Sequence, residues 1–564
     1  MKARRRKEQA FFFQGGRAIL TYGLTLNHKD ADVLIIGAGG AGARAAIEAA
    51  RTGCRVTLVC RSPIGKGGLT PTANGGYHAA VVPGDSPASH AEDLVAMGCR
   101  LNDRPLVELL TREALPQARL LEEFGATVNW KTPLRPHEPQ MRFPRQLFVP
   151  GKEVMTALRK QLRALSNVTL LEDHLALELL TREGEVTGAL IFDIRQGALL
   201  VCTSKATILA SGSLGEIYSL TAQEPMGITT GSTGSGYVLA GWAGAELVDM
   251  EMVQFAVVPI RPALIREMRC LPWAPLLDAE GRDILPPGMG EYSHEAAQTI
   301  ARALRQGTVS MDLRDRVFPS HARHPLAAQR NKHLQDCEVT PYQRPVAIGM
   351  GALYMMGGIH INTRCQTSVP GLYAAGEVSG GVHGARRVAG NAFPEMIVFG
   401  AQAGSCAAAE AAKKDALPEP PRSQVQAGLD YVAGLVQRGK GDIDPREMRR
   451  KTREIMGQHA HLLRSGAGLR TALEELRKLE KDLGFIKVSA GQGLAYNFKL
   501  LEAFESRWLL PAARIVCQAA LLREESRGFH FREDFPLEDE AWQKHTVVRY
   551  RQEAWIGDVK PVAL

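Results

Sequence analysis

Asp32-Val33-Leu34-Ile35-Ile36, then Gly37-Ala38-Gly39-Gly40-Ala41-Gly42, then an alanine-rich run from Ala43 to Thr52 closed by Gly53, then Arg55-Val56-Thr57-Leu58-Val59, read in turn as strand, glycine turn, helix and strand. The first run is continuously apolar, the pattern of a strand buried on both faces of a parallel sheet. Gly37, Gly39 and Gly42 stand at G-x-G-x-x-G spacing on the junction of strand and helix. In such a turn the first glycine permits the sharp reversal, the second lets a pyrophosphate come close, and the third lets helix and strand pack. The helix N-terminus adds free N–H groups and a positive dipole end for the phosphates. The turn is therefore read as a dinucleotide cradle, with Gly37, Gly39, Gly40, Ala41 and Gly42 as contact residues. Where an acid commonly takes the ribose hydroxyls, at the end of the second strand, the chain has Cys60 and Arg61 instead.

Outward from this unit, Ala206-Thr207-Ile208-Leu209-Ala210 reads as another buried strand, ending in Ser211-Gly212-Ser213. A third such strand lies within Gly371-Leu372-Tyr373-Ala374-Ala375-Gly376-Glu377. One parallel sheet thus recurs on both sides of a middle region, 227–340, that is rich in Pro and Arg and sparse in strand signals; it reads as an inserted domain. Leu417-Pro418-Glu419-Pro420-Pro421 is a linker by composition. Amphipathic helical patterns follow, such as Leu469 to Leu483. The expected organisation is an extension at 1–30, a discontinuous nucleotide-binding domain at 31–226 and 341–416, an inserted domain at 227–340, and a helical domain at 425–564.

Composition bounds the partners. The chain has 564 residues, 45% of them apolar and 23% charged, an ordinary globular usage. Lys and Arg exceed Asp and Glu by 68 − 60 = 8, too few and too dispersed for a nucleic-acid surface. Nine cysteines form no C-x-x-C pair. Neither a disulfide framework nor a zinc or iron–sulfur site within the chain is expected, and no metal ligand is assigned. Reduced thiols point to a cytoplasmic setting. The arm Met1-Lys2-Ala3-Arg4-Arg5-Arg6-Lys7, with Phe11-Phe12-Phe13 close behind, lacks the apolar stretch of a signal peptide. It reads as a solvated extension or as a basic strap for a partner protein. No window is long and apolar enough for a membrane span.

Further stretches, in order, resemble the flavoprotein subunits of succinate dehydrogenase and fumarate reductase, with L-aspartate oxidase as a relative. These are Ala31–Gly42, Thr72-Ala73-Asn74-Gly75-Gly76, Thr233-Gly234-Ser235-Gly236, Gly244–Phe255, Tyr354–Ile359, Val369–Glu377, His383–Asn391, Glu525–Pro536 and Lys544-His545-Thr546. The resemblance runs from about residue 31 to about residue 550. It implies an α/β fold: an FAD-binding Rossmann-like parallel sheet, an inserted α+β capping domain over 227–340 and a C-terminal helical domain. The dinucleotide is then FAD. Gly68, Thr70, Asn74, Gly75, Gly76, Ser211, Gly212, Ser235, Gly376, Glu377, Arg387, Gly390, Asn391 and Ala392 join the contact set, with Cys60 and Arg61. Glu377, at a strand end, is expected to accept from a ribose hydroxyl. A helix over Asn391–Ala412 is expected to turn its N-terminus to the flavin. The family attaches its flavin covalently to a His a few residues before Thr72-Ala73-Asn74-Gly75-Gly76; Leu69 stands there, so noncovalent FAD is expected.

The same resemblance implies hydride transfer between flavin N5 and a carbon beside a carboxylate. Arg387 matches the carboxylate-clamping Arg, whose planar guanidinium suits bidentate bonding. Arg269, with Arg266 as rival, is the nearest match to the proton-donating Arg, although the relay Glu is Leu271 here. Two substrate-binding histidines of the family are Ala256 and Leu353. A pocket so altered would leave oxygens of a C4 dicarboxylate without donors, so the expected substrate is a small carboxylate other than succinate or fumarate. His360 and Tyr354 lie in the same stretch as replacements or as packing residues. An electron-transfer flavoprotein subunit paired with a separate iron–sulfur protein, and an L-aspartate-oxidase-like enzyme, are the alternatives.

Overall fold

The computed structural model describes residues 17–19, 24–73, 75–131, 140–221, 231–260, 275–286, 293–312, 314, 344–437, 443–486, 488 and 493–564. Its centre is the glycine-turn unit. Strand β1 (Thr25–Ile36) leads into helix α1 (Gly40–Arg51) and then β2 (Val56–Cys60). Residues Val33 to Ile35 of β1 and all of β2 are buried, as the apolar runs required.

Around them lie β3 (Val168–Glu172), β4 (His174–Arg182), β5 (Glu185–Asp193), β6 (Ala198–Leu209) and β7 (Leu372–Ala374). The sheet order is β3-β2-β1-β6-β5-β4, with β7 also beside β6 and a short strand Arg17–Ile19 beside β1. Strands β3, β2, β1, β6 and β7 are mutually parallel. On the edge away from β1, the long β6 serves two neighbours. Its first half pairs antiparallel with β5, and Thr207–Leu209 pair parallel with Leu372–Ala374. Sequence reading took only the second half, Ala206–Ala210, because the polar Thr203-Ser204-Lys205 interrupts the apolar run before it.

Helix α1 packs in step with a second helix, α3 (Ala392–Ala411); α2 is the short helix Ser235–Trp242. A Cβ on Gly400 would stand 2.5 Å from the Ala41 carbonyl oxygen, and one on Gly404 would stand 2.3 Å from that of Ala45. Only glycine admits so close an approach of two helix backbones. Pro394 sits in the first turn of α3, where its missing N–H costs nothing.

The inserted region builds a four-stranded antiparallel sheet from Val253–Pro259, Val346–Met355, Val309–Met311 and Leu276–Leu277. Helix His294–Gln306 belongs to the same region, and the Ser293 hydroxyl accepts from the Ala296 N–H at its start. The expected boundary at 340 falls short of Val346–Met355, the central strand of this sheet.

The C-terminal part holds helices Pro445–His459, Gly466–Asp482 and α4 (Phe498–Leu522). It does not end helical. Strands Lys544–Arg551 and Ala554–Pro561 form a hairpin that joins Leu247–Val248 in a separate five-stranded sheet. Buried charges secure it. His545 is held by Asp249 Oδ2 at 2.5 Å and by Asp103 Oδ1 at 3.1 Å. Arg523 binds Glu251, Glu525 and Asp249. No helix among the described residues is long and apolar enough to cross a membrane.

Candidate active site

A cavity of about 410 Å³ runs along the carboxyl ends of β1, β2, β6 and β7, where ligands of open parallel sheets bind. Its first wall is the glycine turn. A Cβ on Gly42 would fall 1.8 Å from the Gly37 carbonyl oxygen, so the turn closes only on glycine. Gly37, Gly39, Gly40 and Ala41 line the cavity. The Gly40 N–H donates to Thr70 Oγ1 at 3.1 Å, which ties the start of α1 to the segment after β2. Gly42 lies behind this wall, as its packing role demands.

The sequence-expected contact residues Cys60, Arg61, Gly68, Thr70, Gly75, Gly76, Ser211, Gly212, Ser235, Gly376, Glu377, Arg387, Gly390 and Ala392 all line the same cavity. Leu69 does as well. Asn391 does not line it; it is fully buried, with its amide 3.5 Å from His78 Nδ1. Asn74, Arg266 and Arg269 lie outside the described residues. Ala256 is buried in its strand, whereas Leu353 is on the cavity wall.

Glu377 is more engaged than a free ribose acceptor. One oxygen accepts from the Met355 N–H at 2.9 Å. Burial pushes its carboxyl up to about 7, against hydrogen bonds from Ser213 and Met355 that favour the charged form.

The end of the cavity at Leu353, Tyr354, Arg387 and Phe393 is built of side chains. The Arg387 guanidinium lies over the Tyr354 ring, 4.4 Å from its centre, a cation–π arrangement. Three groups fix its backbone and stem. The Arg387 N–H points at Met356 Sδ at 3.0 Å, its carbonyl accepts from Gln254 Nε2 at 3.2 Å, and its Nη1 donates to the Val388 carbonyl at 3.2 Å. Tyr354 in turn donates its hydroxyl to Glu395 Oε2. His383 Nε2 stands 3.2 Å from the same oxygen. Burial, and then the Glu395 carboxylate, hold the Tyr354 phenol protonated far above its ordinary range. Glu395 sits in the first turn of α3.

Sequence reading did not assign Glu395, Phe393, Met396, Glu505 or Trp508, all of which bear on this cavity or its lining. His360 points elsewhere: it is bonded to Asp103 Oδ2 at 3.0 Å and to Lys560 Nζ at 2.7 Å. The cradle, the strand-end acid and a caged arginine at the far end together suit a dinucleotide with a redox-active ring. A glycine wall suits phosphates, and a guanidinium at the other end suits an anion.

Comparison with known proteins agrees. Residues 32–393 match the family model described as an FAD binding domain, and 449–563 match the fumarate reductase flavoprotein C-terminal model. The chain is 34% identical to one subunit of the fumarate reductase (CoM/CoB) of Methanothermobacter marburgensis, over 93% of this chain and 98% of that one. It is 32% identical to an FAD-dependent oxidoreductase of Methanocaldococcus jannaschii, over 92% and 96%. It is 31% identical to L-aspartate oxidase of Streptomyces coelicolor, over 92% and 91%. Among solved structures, Mycobacterium smegmatis Sdh1 superposes with a TM-score of 0.86 at 26% identity, covering 95% of each chain. The fold is also that of the E. coli quinol fumarate reductase chain, with a TM-score of 0.85 at 24% identity over 95% of this chain and 97% of that one.

Proposed function

The chain belongs to the FAD-dependent flavoprotein family of fumarate reductase and succinate dehydrogenase, and from that membership we propose that its substrate is a small carboxylate other than succinate or fumarate. The observation that carries the proposal is the pairing, on one cavity wall, of the caged cation Arg387 with the apolar Leu353. Bound FAD supplies hydride exchange at its N5.

The protein's own groups do the rest. Gly37, Gly39, Gly40 and Ala41 would take the pyrophosphate, and Glu377 a hydroxyl of the cofactor. Arg387 binds the substrate carboxylate, its plane set by Tyr354 before the substrate arrives, so little order is lost on binding. Leu353 keeps water from the reacting carbon and offers no donor to a second carboxylate. Arg269, or Arg266, delivers the proton. Leu69 offers no nucleophile for covalent attachment, so the flavin is held noncovalently; acid precipitation then releases the yellow colour to the supernatant, and colour kept in the pellet refutes it.

Steady-state turnover against a panel of enoates and C4 dicarboxylates tests the substrate proposal. Turnover with a monocarboxylate enoate well above that with fumarate supports it; preference for fumarate or succinate overturns it. A second reading is an electron-transfer flavoprotein that works with a separate iron–sulfur protein. It is favoured by relatives that are themselves subunits and by the match of residues 449–563 to the fumarate reductase flavoprotein C-terminal model. Its mark would be reoxidation of the reduced protein by a copurifying iron–sulfur protein and by none of the carboxylates. An L-aspartate-oxidase-like activity is disfavoured by the same Ala256 and Leu353.

A further inference from the structure

The end of β2 is where a β-α-β dinucleotide site reads the adenosine ribose. Cys60 cannot act there as an anion, because burial pushes its thiol up to about 12. Arg61 is the charged side chain at that place, and it is 33% exposed. Its position is set from two sides. Arg61 Nη2 lies 2.5 Å from Glu505 Oε1, and Arg61 Nη1 lies 2.9 Å from where a Cβ on Gly231 would stand. Glu505 belongs to α4, in the C-terminal part of the chain, yet it is 3% exposed and lines the same cavity.

The contact is part of a longer chain of charges. Arg449, on helix Pro445–His459, grips Glu505 Oε2 and comes within 3.7 Å of Glu216 Oε2. Arg453 donates to the Glu216 carbonyl at 2.8 Å. Glu216 follows Ser213, a cavity residue beyond the end of β6, by three positions. The C-terminal helices therefore hold two walls of the cavity at once, at the ends of β2 and of β6.

We infer that Glu505 is a positioning residue for the adenosine half of the dinucleotide, holding the Arg61 guanidinium at the cavity wall where other sites of this kind place a ribose-binding acid. A free arginine stem would lose its rotamer freedom on meeting the cofactor; Glu505 removes that freedom beforehand. The C-terminal helices thereby form part of the cofactor site although no glycine motif lies in them. The inference rests on the FAD assignment and not on the identity of the substrate.

Two probes separate the halves of the site. ADP presents the adenosine half alone, and FMN presents the ring half alone. With flavin-free full-length chain, Glu505→Gln is expected to weaken ADP and FAD binding about tenfold or more, the scale of one close charge pair. FMN binding is expected to stay within about twofold on that scale of affinity. Adding Arg61→Gln to Glu505→Gln should then cost little more, since both act through one contact. Unchanged ADP binding overturns the inference, and so does an equal loss for ADP and FMN, which would mark a general disturbance of the fold. Glu505→Asp keeps the charge on a shorter stem. If Glu505→Gln does not fold, an intermediate ADP loss in Glu505→Asp with FMN intact supports the assignment, and ADP binding equal to the parent's refutes it. FAD that fails to bind the parent chain would instead sink the cofactor assignment itself.

Discussion

At the glycine-turn end the cavity wall is main chain, made by Gly37, Gly39 and Gly40; at the Arg387 end it is side chain, made by Leu353, Tyr354, Arg387 and Phe393. The first end is specified by what cannot be present, since a Cβ on Gly42 would stand 1.8 Å from the Gly37 oxygen. The second is specified by a train of contacts from Arg387 to Tyr354 to Glu395 that crosses three separate segments. Tolerance should therefore differ. The main-chain end should fail completely when one atom is added. The side-chain end should lose function by degrees while the cofactor stays.

The sharpest break is Gly42→Val. Overpacking at a backbone contact costs roughly 3 kcal/mol or more, so flavin affinity should fall by at least about 100-fold and the chain should purify colourless. Flavin content by absorbance reads the result, and a yellow protein with parent-like affinity would show that the cradle is not closed by this glycine.

Arg387→Ala should spare flavin content and lower kcat/KM on the carboxylate substrate by about 100-fold, the scale of a lost buried charge pairing. Equal loss of flavin would merge the two ends and erase the contrast between them.

Tyr354→Phe sharpens the comparison further. The ring remains under Arg387, but buried Glu395 loses a donor, which costs about 1–3 kcal/mol. Thermal unfolding should shift down by about 1–3 °C while carboxylate binding weakens less than in Arg387→Ala. A larger effect on binding than on stability would assign Tyr354 a direct contact with substrate.

An effect on stability alone, with the cavity untouched, should come from His545. Burial opposes its protonation, but the Asp249 and Asp103 carboxylates overcome this and raise it to about 10. Its contribution to stability is present in full below its ordinary pKa of roughly 6.5 and is lost as the pH rises through about 10. Asp103 runs the other way. Burial opposes its ionisation, yet hydrogen bonds from His360 and His545 hold it well below the usual carboxylate range, so its contribution is lost only on strong acidification. Compared with the parent, His545→Gln should flatten the decline in melting temperature between pH 7 and 10, a window set by those two pKa values. An unchanged slope would remove His545 as its cause.

The same contrast explains what the sequence made legible. Gly37–Gly42 reads directly because a steric requirement leaves a residue type at a fixed spacing, and β1, α1 and β2 follow from apolar and alanine runs. The ends of β6 and β7 were marked by short apolar runs ending in Ser211-Gly212-Ser213 and Gly376-Glu377. Glu395 and Glu505 carry no such mark. Each is an ordinary helical glutamate in sequence, and only the packing of α3 and α4 turns it toward Tyr354 or Arg61. The C-terminal hairpin was missed for a related reason: its partners, Leu247–Val248 and the buried Asp249 and Asp103, are hundreds of positions away in the chain.

Gly400 and Gly404 do not line the cavity, yet they bring α3 against Ala41 and Ala45 of α1 with no side chain between them. In this register α3 begins about two turns ahead of α1: α1 starts at the glycine turn, and α3 starts at Ala392 and Phe393 on the same cavity wall. Their common seam would work as a ruler: with the glycine turn and the Arg387 wall as the two binding points, the span between them would be set by backbone touching backbone, and a molecule of another length would reach only one of them.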